Sequence, residues 1–322
     1  MKAIRIHELG GPEVLKYEDI PSPVPAAGQA LIDIQAVGVN FADVSARRGG
    51  SNSPQELPAT PGFEAAGVVT AVGEGVADLR VGDTVAYWGI RGSYAEQAVV
   101  PAEVLVKLPE GLDAKTAATV FLQGMTAHYL AFSTYPLKPG DSALVHAGAG
   151  GTGLLLIQMA KRVGARVFAT VSTEEKAALA REAGADKAII YTREDFEQEV
   201  RNATNGRGCE AVYDSVGQTT FEKSLNCLAP RGCLALYGQS SGSVPPVAPA
   251  SLRASSYLTR PTLTEYTDTR EELEWRAGEV FNWVASGELK IRIGGEFPLA
   301  EAAEAHRQLE DRLSTGKLLL II

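Results

Sequence analysis

The second half of the chain alternates between short apolar runs and amphipathic stretches, and this alternation constrains the fold more than any other feature. The apolar runs predict strands at residues 143–147, 166–171, 188–190, 209–212 and 233–237. The stretches that follow them predict helices at residues 152–163, 174–183, 194–203 and 219–228. Parallel strands joined by right-handed crossover helices produce this order. The segment therefore predicts an α/β fold with a doubly wound parallel sheet, a Rossmann domain.

A glycine-rich turn follows the first of these predicted strands. Gly148, Gly150 and Gly153 give the spacing G-x-G-x-x-G between an apolar run and a helix. In that position glycines let the backbone approach a pyrophosphate, and the helix N-terminus offers free N–H groups and a positive dipole end. The turn therefore predicts a dinucleotide site, with an ordinary tight strand–helix turn as the alternative.

The end of the second predicted strand indicates which dinucleotide is bound. An NAD site normally places an acidic residue about 20 positions beyond the glycines, where it binds the ribose. This sequence has Ser172 and Thr173 there, and Lys176 on the next helix. Hydroxyls and an ammonium suit a 2′-phosphate, so NADP is favoured. Two alternatives stay open: the hydroxyls act only as helix caps, or Glu174 and Glu175 mark an NAD site.

The first part of the chain, about 110 residues, is rich in strand patterns and turn residues. Alternating apolar and polar positions predict strands at residues 30–39, 67–73 and 83–88. Residues 51–61 are polar and contain proline, which predicts a loop. The tail adds a helix near 270–286, a strand near 291, a helix near 299–309 and a closing strand at 318–322. This pattern predicts a β-rich domain beside the α/β domain.

Charge and composition exclude several classes of protein. The chain has 30 basic and 39 acidic residues, a net charge of −9, and no basic run longer than Arg47-Arg48. It therefore lacks the positive surface that nucleic acids or anionic membranes require. No apolar stretch approaches the roughly 20 residues that span a bilayer. The three cysteines have neither disulfide nor zinc spacing, and the N-terminus lacks a signal-peptide pattern. We expect a cytoplasmic protein.

The sequence also lacks the ligands of a catalytic zinc site. The N-terminal domain contains no cysteine, and the four histidines His7, His128, His146 and His306 are scattered. A scattered histidine is more often a packed or surface residue than a metal ligand. We therefore expect no metal. Hydride transfer without a Lewis acid requires an acceptor that is already electrophilic, such as a quinone or a conjugated carbonyl compound.

Several segments together resemble the zinc-free quinone oxidoreductases, the zeta-crystallin-like branch of the medium-chain dehydrogenase/reductase superfamily, and most closely its bacterial NADPH-dependent members. The matching segments are residues 10–15, 38–43, 61–67, 147–153, 213–217 and 258–263. Where zinc-dependent relatives carry a cysteine ligand this chain has Asn40, and where they carry the histidine of Gly-His-Glu it has Phe63. The resemblance therefore agrees with the expected absence of zinc.

The resemblance implies a GroES-like β-rich catalytic domain at residues 1–123 and 266–322, a Rossmann domain at 124–265, and a homodimer. Asn40 and Asp43 would be catalytic residues beside the nicotinamide, and NADPH would bind in a cleft between the domains. The other implied cofactor-binding residues are Thr126, Gly150, Gly151, Thr152, Gly153, Ser172, Lys176, Tyr191, Val216, Tyr237, Gly238, Ser240, Ser241, Leu263 and Arg312.

Most of these residues have a simpler alternative role. Asn40 is also a common strand-end residue, Asp43 a common helix cap, and Lys176 could be merely solvated. Tyr191 and Tyr237 could be core aromatics at strand ends. The chain also departs from its bacterial relatives: Ser45 and Ser51 replace pocket aromatics, and Gln123 replaces a lysine of some relatives. We therefore expect a more polar and open substrate pocket.

The predicted reaction is hydride transfer from NADPH to a quinone, with reacting atoms held about 3–3.5 Å apart. Hydrogen-bond donors near Asn40 are expected to stabilise the developing oxyanion. No general acid is required, because a hydroquinone anion can take its proton from water. Two alternatives remain: an enal or enone reductase that acts on a C=C bond, and an NADPH-binding structural or RNA-binding protein of the crystallin type.

Overall fold

The structure is a computed structural model of the 322-residue chain, and it describes residues 1–50, 56–252 and 254–322. The chain divides into two compact units. Unit 1 contains residues 1–122 and 267–322, and unit 2 contains residues 123–266. Part of the predicted loop at 51–61, including Ser51, lies outside the described residues.

The strands and helices follow each other along the whole chain. The strands are β1 (Lys2–Arg5), β2 (Lys16–Asp19), β3 (Gln29–Val39), β4 (Glu64–Val72), β5 (Thr84–Trp88), β6 (Gln97–Pro101), β7 (Val106–Lys107), β8 (Ser142–Val145), β9 (Arg166–Val171), β10 (Lys187–Ile190), β11 (Cys209–Asp214), β12 (Leu228–Leu236), β13 (Tyr257–Thr259), β14 (Ile293–Pro298) and β15 (Lys317–Ile321). The α-helices are α1 (Phe41–Arg47), α2 (Ala114–Tyr129), α3 (Gly151–Val163), α4 (Glu174–Glu182), α5 (Phe196–Ala203), α6 (Phe221–Asn226), α7 (Arg270–Ala285) and α8 (Ala302–Glu310). Short 3₁₀ helices occur at Pro12–Val14, Ala102–Val104, Pro249–Ser251, Leu263–Tyr266 and Leu299–Glu301, and a π-helical turn at Leu130–Thr134.

Unit 1 is built on a mixed sheet in the order β14-β15-β3-β4-β5-β7, with β6 also paired to β3. The long strand β3 lies at its centre and pairs antiparallel with β15, β4 and β6. Its alternating apolar residues, among them Ile32 and Ile34, are buried in the core of this unit. The expected β-rich unit is therefore found, with the last strand of the chain completing the sheet.

The register of this sheet places three polar residues together at one end of its central strands. Leu318 of β15 lies opposite Val39 of β3, so Lys317 lies level with Asn40, the residue after β3. Strand β4 begins at Glu64 beside the same end of β3. Residues from three distant parts of the sequence therefore meet where these strands begin or end.

Unit 2 contains a parallel sheet in the order β10-β9-β8-β11-β12-β13. Every pairing along it is parallel. Numbered within the unit this is the order 3-2-1-4-5-6, so the predicted doubly wound Rossmann sheet is confirmed. The chain reverses its direction of winding between β8 and β11. In such sheets ligands bind at the carboxyl ends of the strands at this switch point.

Some elements differ from their predictions. The helix α2 and the edge strand β13 were not predicted from the sequence, and the strand expected near residue 291 begins at Ile293. The helix expected at 299–309 begins as the 3₁₀ turn Leu299–Glu301 before α8. Within residues 1–50, 56–252 and 254–322, no helix combines the length and apolar character needed to cross a membrane.

Candidate active site

The glycine-rich segment forms a turn from the end of β8 to the start of α3. We call residues 146–153 the phosphate-binding turn. Ala147 adopts a left-handed φ of 52°, and the Gly148 N–H donates to Thr170 O at 2.9 Å, which fixes the turn on β9. Gly150 is the N-cap residue of α3 and no side chain caps the helix. The first N–H groups of α3 are therefore available to an anion.

The space around the glycines fits a phosphate group. A Cβ at Gly153 would lie 2.4 Å from Ala147 O, and one at Gly151 would lie 1.8 Å from Gln123 Oε1. A Cβ at Gly150 would meet only Ala147 O, at 3.2 Å, so the outer side of this residue is open. Gln123 Oε1 is buried without a hydrogen-bond partner in the described part of the chain. The turn thus combines open space and free N–H donors, and an unpaired amide oxygen lies beside it.

The ends of β9 and β10 bring together the three residues predicted for the 2′-phosphate and adenosine. Ser172 follows β9, Tyr191 follows β10, and the Tyr191 N–H donates to Val171 O at 3.0 Å. Lys176 lies in the first turn of α4. The N-cap hydroxyl is that of Thr173, which accepts from the Lys176 N–H at 3.3 Å. Tyr191 is 42% exposed, so the core-aromatic alternative for it is wrong.

Glu174, the residue that left NAD as an alternative cofactor, is paired with two arginines. Its carboxylate lies 2.9 Å from Arg181 Nη1 and 2.7 Å from Arg193 Nη2. Hydrogen bonds from both arginines lower the pKa of Glu174. Arg193 was not identified from the sequence as a partner of Glu174, although it follows Tyr191 by only two positions. The arginines offset the negative charge of Glu174 beside Ser172, which favours a phosphate there.

A second group of predicted residues lies at the ends of β11 and β12. We call residues 214–217 the Asp214 turn, since the Asp214 carboxylate accepts the N–H groups of Val216 and Gly217 at 2.8 and 3.0 Å. The segment after β12 packs on this turn through backbone bonds from Tyr237 and Gly238 to Asp214 O. Five predicted nicotinamide-side residues are therefore close together: Val216, Tyr237, Gly238, Ser240 and Ser241.

Three predicted residues lie apart from these two groups. Thr126 is buried in α2, and Leu263 is buried at the start of a 3₁₀ helix. Their segments are joined within unit 2 by the parallel stack of Tyr129 on Tyr266, with ring centroids 4.4 Å apart. Arg312 belongs to unit 1, where it is exposed and has a left-handed φ of 58°. Its approach to the adenine end stays a prediction.

In unit 1 the Asn40 side chain is buried and all its polar groups are engaged. Its Nδ2 donates to Gly38 O at 3.0 Å and to Glu64 Oε2 at 2.9 Å. Its Oδ1 accepts from Lys317 Nζ at 2.8 Å. Both amide hydrogens are thus used within unit 1, so in this geometry the Asn40 side chain is not one of the donors that were expected near it for a substrate oxyanion. Asn40 instead holds three neighbours in place.

Gly38 leaves the space that this arrangement needs. A Cβ at this position would lie 2.2 Å from Glu64 Oε2 and 2.7 Å from Lys317 Nζ. The two charged groups are 2.5 Å apart and are almost completely buried. The second oxygen of Glu64 accepts the Leu122 N–H at 2.7 Å. Glu64 and Lys317 were missed in the sequence, where the only signal was a lysine that opens an apolar final strand.

Asp43 has the helix-cap role that was its alternative. Its Oδ2 accepts the Asn40 N–H at 2.7 Å, and together the two residues form a capping box at the start of α1. The Tyr94 hydroxyl also donates to Oδ2, at 3.2 Å. Oδ1 is buried and has no partner among the described residues. Burial, only partly offset by these hydrogen bonds, raises the pKa of Asp43 to about 7.

A chain of hydrogen bonds continues from Asp43 into the interior of unit 1. Tyr94 Oη lies 2.9 Å from His306 Nε2, and His306 Nδ1 lies 3.0 Å from Arg47 Nη1. Because arginine can only donate, Nδ1 accepts and Nε2 carries the proton that is donated to Tyr94. Burial and the nearby Arg47 charge lower the pKa of His306 to about 3. Every bond in the chain is therefore directed toward Asp43.

The donor set at Asn40 does not fit zinc. The amide of Asn40 is already hydrogen-bonded to Gly38, Glu64 and Lys317. Phe63 has an aromatic side chain that cannot ligate a metal. In the residues that the structure describes, no cluster of three or more histidine, cysteine or acidic side chains has metal-site geometry. Tetrahedral zinc sites need three or four such ligands. The residues at and around Asn40 therefore do not fit a catalytic zinc ion.

Two segments of the chain match known sequence families. Residues 26–110 match the family described as alcohol dehydrogenase GroES-like domain. Residues 151–275 match the family described as zinc-binding dehydrogenase. This second match does not include the positions of Asn40 and Phe63, so its description does not bear on the donor set there.

Individual proteins match the chain over its full length. A quinone oxidoreductase from Pseudomonas aeruginosa is 44% identical over 323 residues, which cover 99% of each protein. A 2-haloacrylate reductase from a Burkholderia species is 41% identical over 325 residues, which cover 98% of this chain and 97% of the relative. The crystal structure of Escherichia coli quinone oxidoreductase complexed with NADPH has a TM-score of 0.97 and 40% identity, and the match covers both chains completely.

Proposed function

Because this chain belongs to the quinone oxidoreductase family of the medium-chain dehydrogenase/reductase superfamily, we propose that it reduces quinones with NADPH. The observation that carries the proposal is the phosphate-binding turn at the switch point of the unit 2 sheet, with Ser172 and Tyr191 at the neighbouring strand ends and Lys176 in the first turn of α4. The full-length similarity to quinone oxidoreductases supports the acceptor.

Each group of residues in unit 2 has its own part in holding NADPH. Gly150, Gly151, Thr152 and Gly153 bind the pyrophosphate through backbone N–H groups. Ser172 and Lys176 bind the 2′-phosphate, and Tyr191 packs on the adenosine. The nicotinamide half is lined by Thr126, Val216, Tyr237, Gly238, Ser240, Ser241 and Leu263. Arg312 of unit 1 is assigned to the adenine end on family resemblance.

NADPH supplies the hydride, and the chain contributes position. In unit 1 the Asn40 amide is fixed by Gly38, Glu64 and Lys317, and the start of α1 is fixed by Asp43. We propose that Asn40 and Asp43 contribute to the reaction through the shape of the strand ends around Asn40, and that the Asn40 side chain does not act as an oxyanion donor. The hydroquinone anion takes its proton from water, so no side chain has to supply one.

A second candidate activity is reduction of an activated C=C bond. The 41% identity to a 2-haloacrylate reductase favours it, because an acrylate accepts hydride at an electrophilic alkene. Ser45 is exposed in α1, at a position where bacterial relatives carry a pocket tyrosine. A smaller residue here supports a pocket that tolerates varied planar acceptors.

The test is oxidation of NADPH, followed by the loss of its near-ultraviolet absorbance, against a panel of benzoquinones and naphthoquinones. Parallel reactions contain a conjugated enal or a haloacrylate. NADH replaces NADPH in one control, and EDTA is added in another. Quinone-dependent turnover that prefers NADPH and is insensitive to EDTA supports the proposal. Turnover with alkenes alone selects the second candidate, and tight NADPH binding without turnover on any acceptor favours the structural role.

We also propose a cytoplasmic homodimer without a nucleic-acid partner. The cysteines Cys209, Cys227 and Cys233 are buried and unpaired, which suits a reducing compartment. Strand β13 is an edge of the unit 2 sheet with Tyr257 62% exposed, and an exposed edge can pair with a second copy. Light scattering tests the dimer. The net charge of −9 opposes binding to RNA, and a gel shift with RNA at low salt tests whether the protein lacks a nucleic-acid partner.

A further inference from the structure

His146, the first residue of the phosphate-binding turn, is buried in a hydrogen-bond chain that no proposed cofactor contact uses. Its Nδ1 lies 2.9 Å from Thr170 Oγ1, and its Nε2 lies 2.9 Å from Ser224 Oγ. The Ser224 hydroxyl lies 2.8 Å from Asp214 Oδ2. All four side chains are buried. The chain therefore joins β9, the end of β8, α6 and the end of β11.

The direction of each bond follows from the chemistry of its ends. The Asp214 carboxylate only accepts, so the single hydroxyl hydrogen of Ser224 is donated to it. Ser224 Oγ must then accept, which places the imidazole proton of His146 on Nε2. His146 Nδ1 is left as the acceptor for the Thr170 hydroxyl. Burial, which outweighs the nearby Asp214 charge, lowers the pKa of His146 and keeps the ring neutral. One arrangement of protons satisfies the whole chain.

The chain crosses the switch point of the sheet, where β8 and β11 are neighbours. On one side His146 leads directly into Ala147, whose left-handed φ requires support from its surroundings. On the other side Asp214 holds the N–H groups of Val216 and Gly217. A single imidazole thus connects the turn assigned to the pyrophosphate with the turn assigned to the nicotinamide half.

We propose that His146 is a positioning residue that fixes the phosphate-binding turn and the Asp214 turn relative to each other, so that both halves of NADPH are held in register. This inference rests on the proposed function. His146 does not touch the cofactor in this scheme. It acts through Ala147 on one side and through Ser224 and Asp214 on the other.

A double-mutant cycle on NADPH affinity tests the connection. Thr170→Val and Ser224→Ala each remove one hydroxyl from the chain at nearly constant shape. Each single variant is expected to weaken NADPH binding about threefold to tenfold, the value of one buried hydrogen bond. Because either change interrupts the same chain, the double variant should bind about as weakly as the weaker single variant. Thr170→Ser retains the hydroxyl and should restore affinity to within about twofold.

Thr204→Val is the matched control. The Thr204 hydroxyl donates to Val200 O at 2.8 Å and accepts the Gly208 N–H at 2.9 Å, next to the start of β11, whereas Asp214 lies at the end of that strand. Thr204→Val should therefore leave NADPH affinity within about twofold of its starting value, both in the wild type and in Thr170→Val. Circular dichroism shows that each variant is folded before its affinity is compared.

The proton position tests the hydrogen-bond chain itself, and the affinity cycle tests whether the chain positions NADPH. In ¹⁵N spectra of the wild-type protein, His146 should carry its proton on Nε2 and show Nδ1 as a bare acceptor. The opposite tautomer overturns the inference. Additive losses in the cycle, with NADPH still bound by the wild type, overturn the positioning role and leave the proposed function intact. A wild type that fails to bind NADPH overturns both.

Discussion

Lys317 and Glu64, 253 positions apart in the sequence, form an ion pair inside unit 1 with Nζ and Oε2 2.5 Å apart. Both side chains also bind Asn40, which therefore has its amide plane fixed by opposite charges. Two charges withdrawn from water are tolerated only when each satisfies the other and their remaining hydrogen bonds are made.

Lys317→Met should lower the free energy of unfolding by about 3–5 kcal/mol, because it leaves the Glu64 charge buried without its cation. Lys115→Met is the matched control, since Lys115 pairs with Glu296 at the surface with both side chains nearly half exposed. It should cost less than about 1 kcal/mol. Urea unfolding curves measure both. Equal losses of unfolding free energy for the two variants would contradict the prediction that the buried Glu64–Lys317 pair costs more to break than the exposed Lys115–Glu296 pair.

Asn40→Ala should slow quinone reduction while NADPH affinity changes by less than about twofold, within the usual scatter for an independent site. The reason is that Asn40 holds Gly38, Glu64 and Lys317 in unit 1, whereas the residues assigned to the phosphates belong to unit 2. Steady-state kinetics and NADPH titration separate the two effects. Asn226→Ala, on the exposed face of α6, is the control. A rate equal to that of wild type would remove Asn40 from the reaction.

The Asp43 carboxyl should make stability fall as pH rises. Its pKa is 3.8 when unfolded and is raised to about 7 in the fold, so the folded protein keeps a proton that the unfolded chain has lost. The unfolding free energy contributed by this group is full below about pH 4 and is lost as pH rises to about 7. Asp43→Asn removes this dependence, so the free energy of unfolding of the variant should rise relative to that of wild type between about pH 4 and about pH 7.

The control for the pH experiment is Asp19→Asn. Asp19 is exposed and its pKa is lowered by the hydrogen bond from Lys2, so its small contribution has the opposite sign and is lost as pH falls. Urea unfolding at several pH values measures all three proteins. If the difference between Asp43→Asn and wild type is constant between pH 4 and 7, Asp43 is ionised throughout that range.

Gly150→Ala should weaken NADPH binding about tenfold or more, a loss of about 1.4 kcal/mol, and cost no more than about 1 kcal/mol of stability. A Cβ here meets only one protein atom, at 3.2 Å, and points into the space assigned to the phosphate. Gly278→Ala in α7 is the control, because nothing lies within 4 Å of its Cβ. That change should add about 0.5–1 kcal/mol of stability and leave NADPH binding unaltered.

Lys176→Gln should raise the KM for NADPH about tenfold to a hundredfold, because a charge-assisted bond to the 2′-phosphate contributes about 1.5–3 kcal/mol. The KM for NADH should not change, since NADH lacks this phosphate. Lys161→Gln is the control, as Lys161 is paired with Asp186 on the other side of unit 2. A parallel rise for both cofactors would place Lys176 outside the 2′-phosphate site.

Much of unit 2 was predictable because its signals are local. The glycine spacing, the apolar strands and the hydroxyl residues after β9 each lie within a few positions of one another, and the parallel order follows from their alternation. The alternatives for Asn40 and Asp43 were also local, and the capping box at the start of α1 agrees with both. Helix α2 was missed, since its mostly apolar sequence lacks a clear amphipathic period.

The buried polar groups could not be predicted in the same way. His146 and His306 look like isolated histidines in the sequence, and only the fold brings Ser224 to the first and Tyr94 to the second. Lys317 lies in the last strand and finds its partner because β15 pairs with β3. Propensity and periodicity act over a few residues, whereas a buried charge or imidazole is stabilised by groups that sheet register places beside it. The sequence by itself therefore determined the fold class and the cofactor turn. The tertiary structure decided which polar side chains hold that turn, and the strand ends around Asn40, in place.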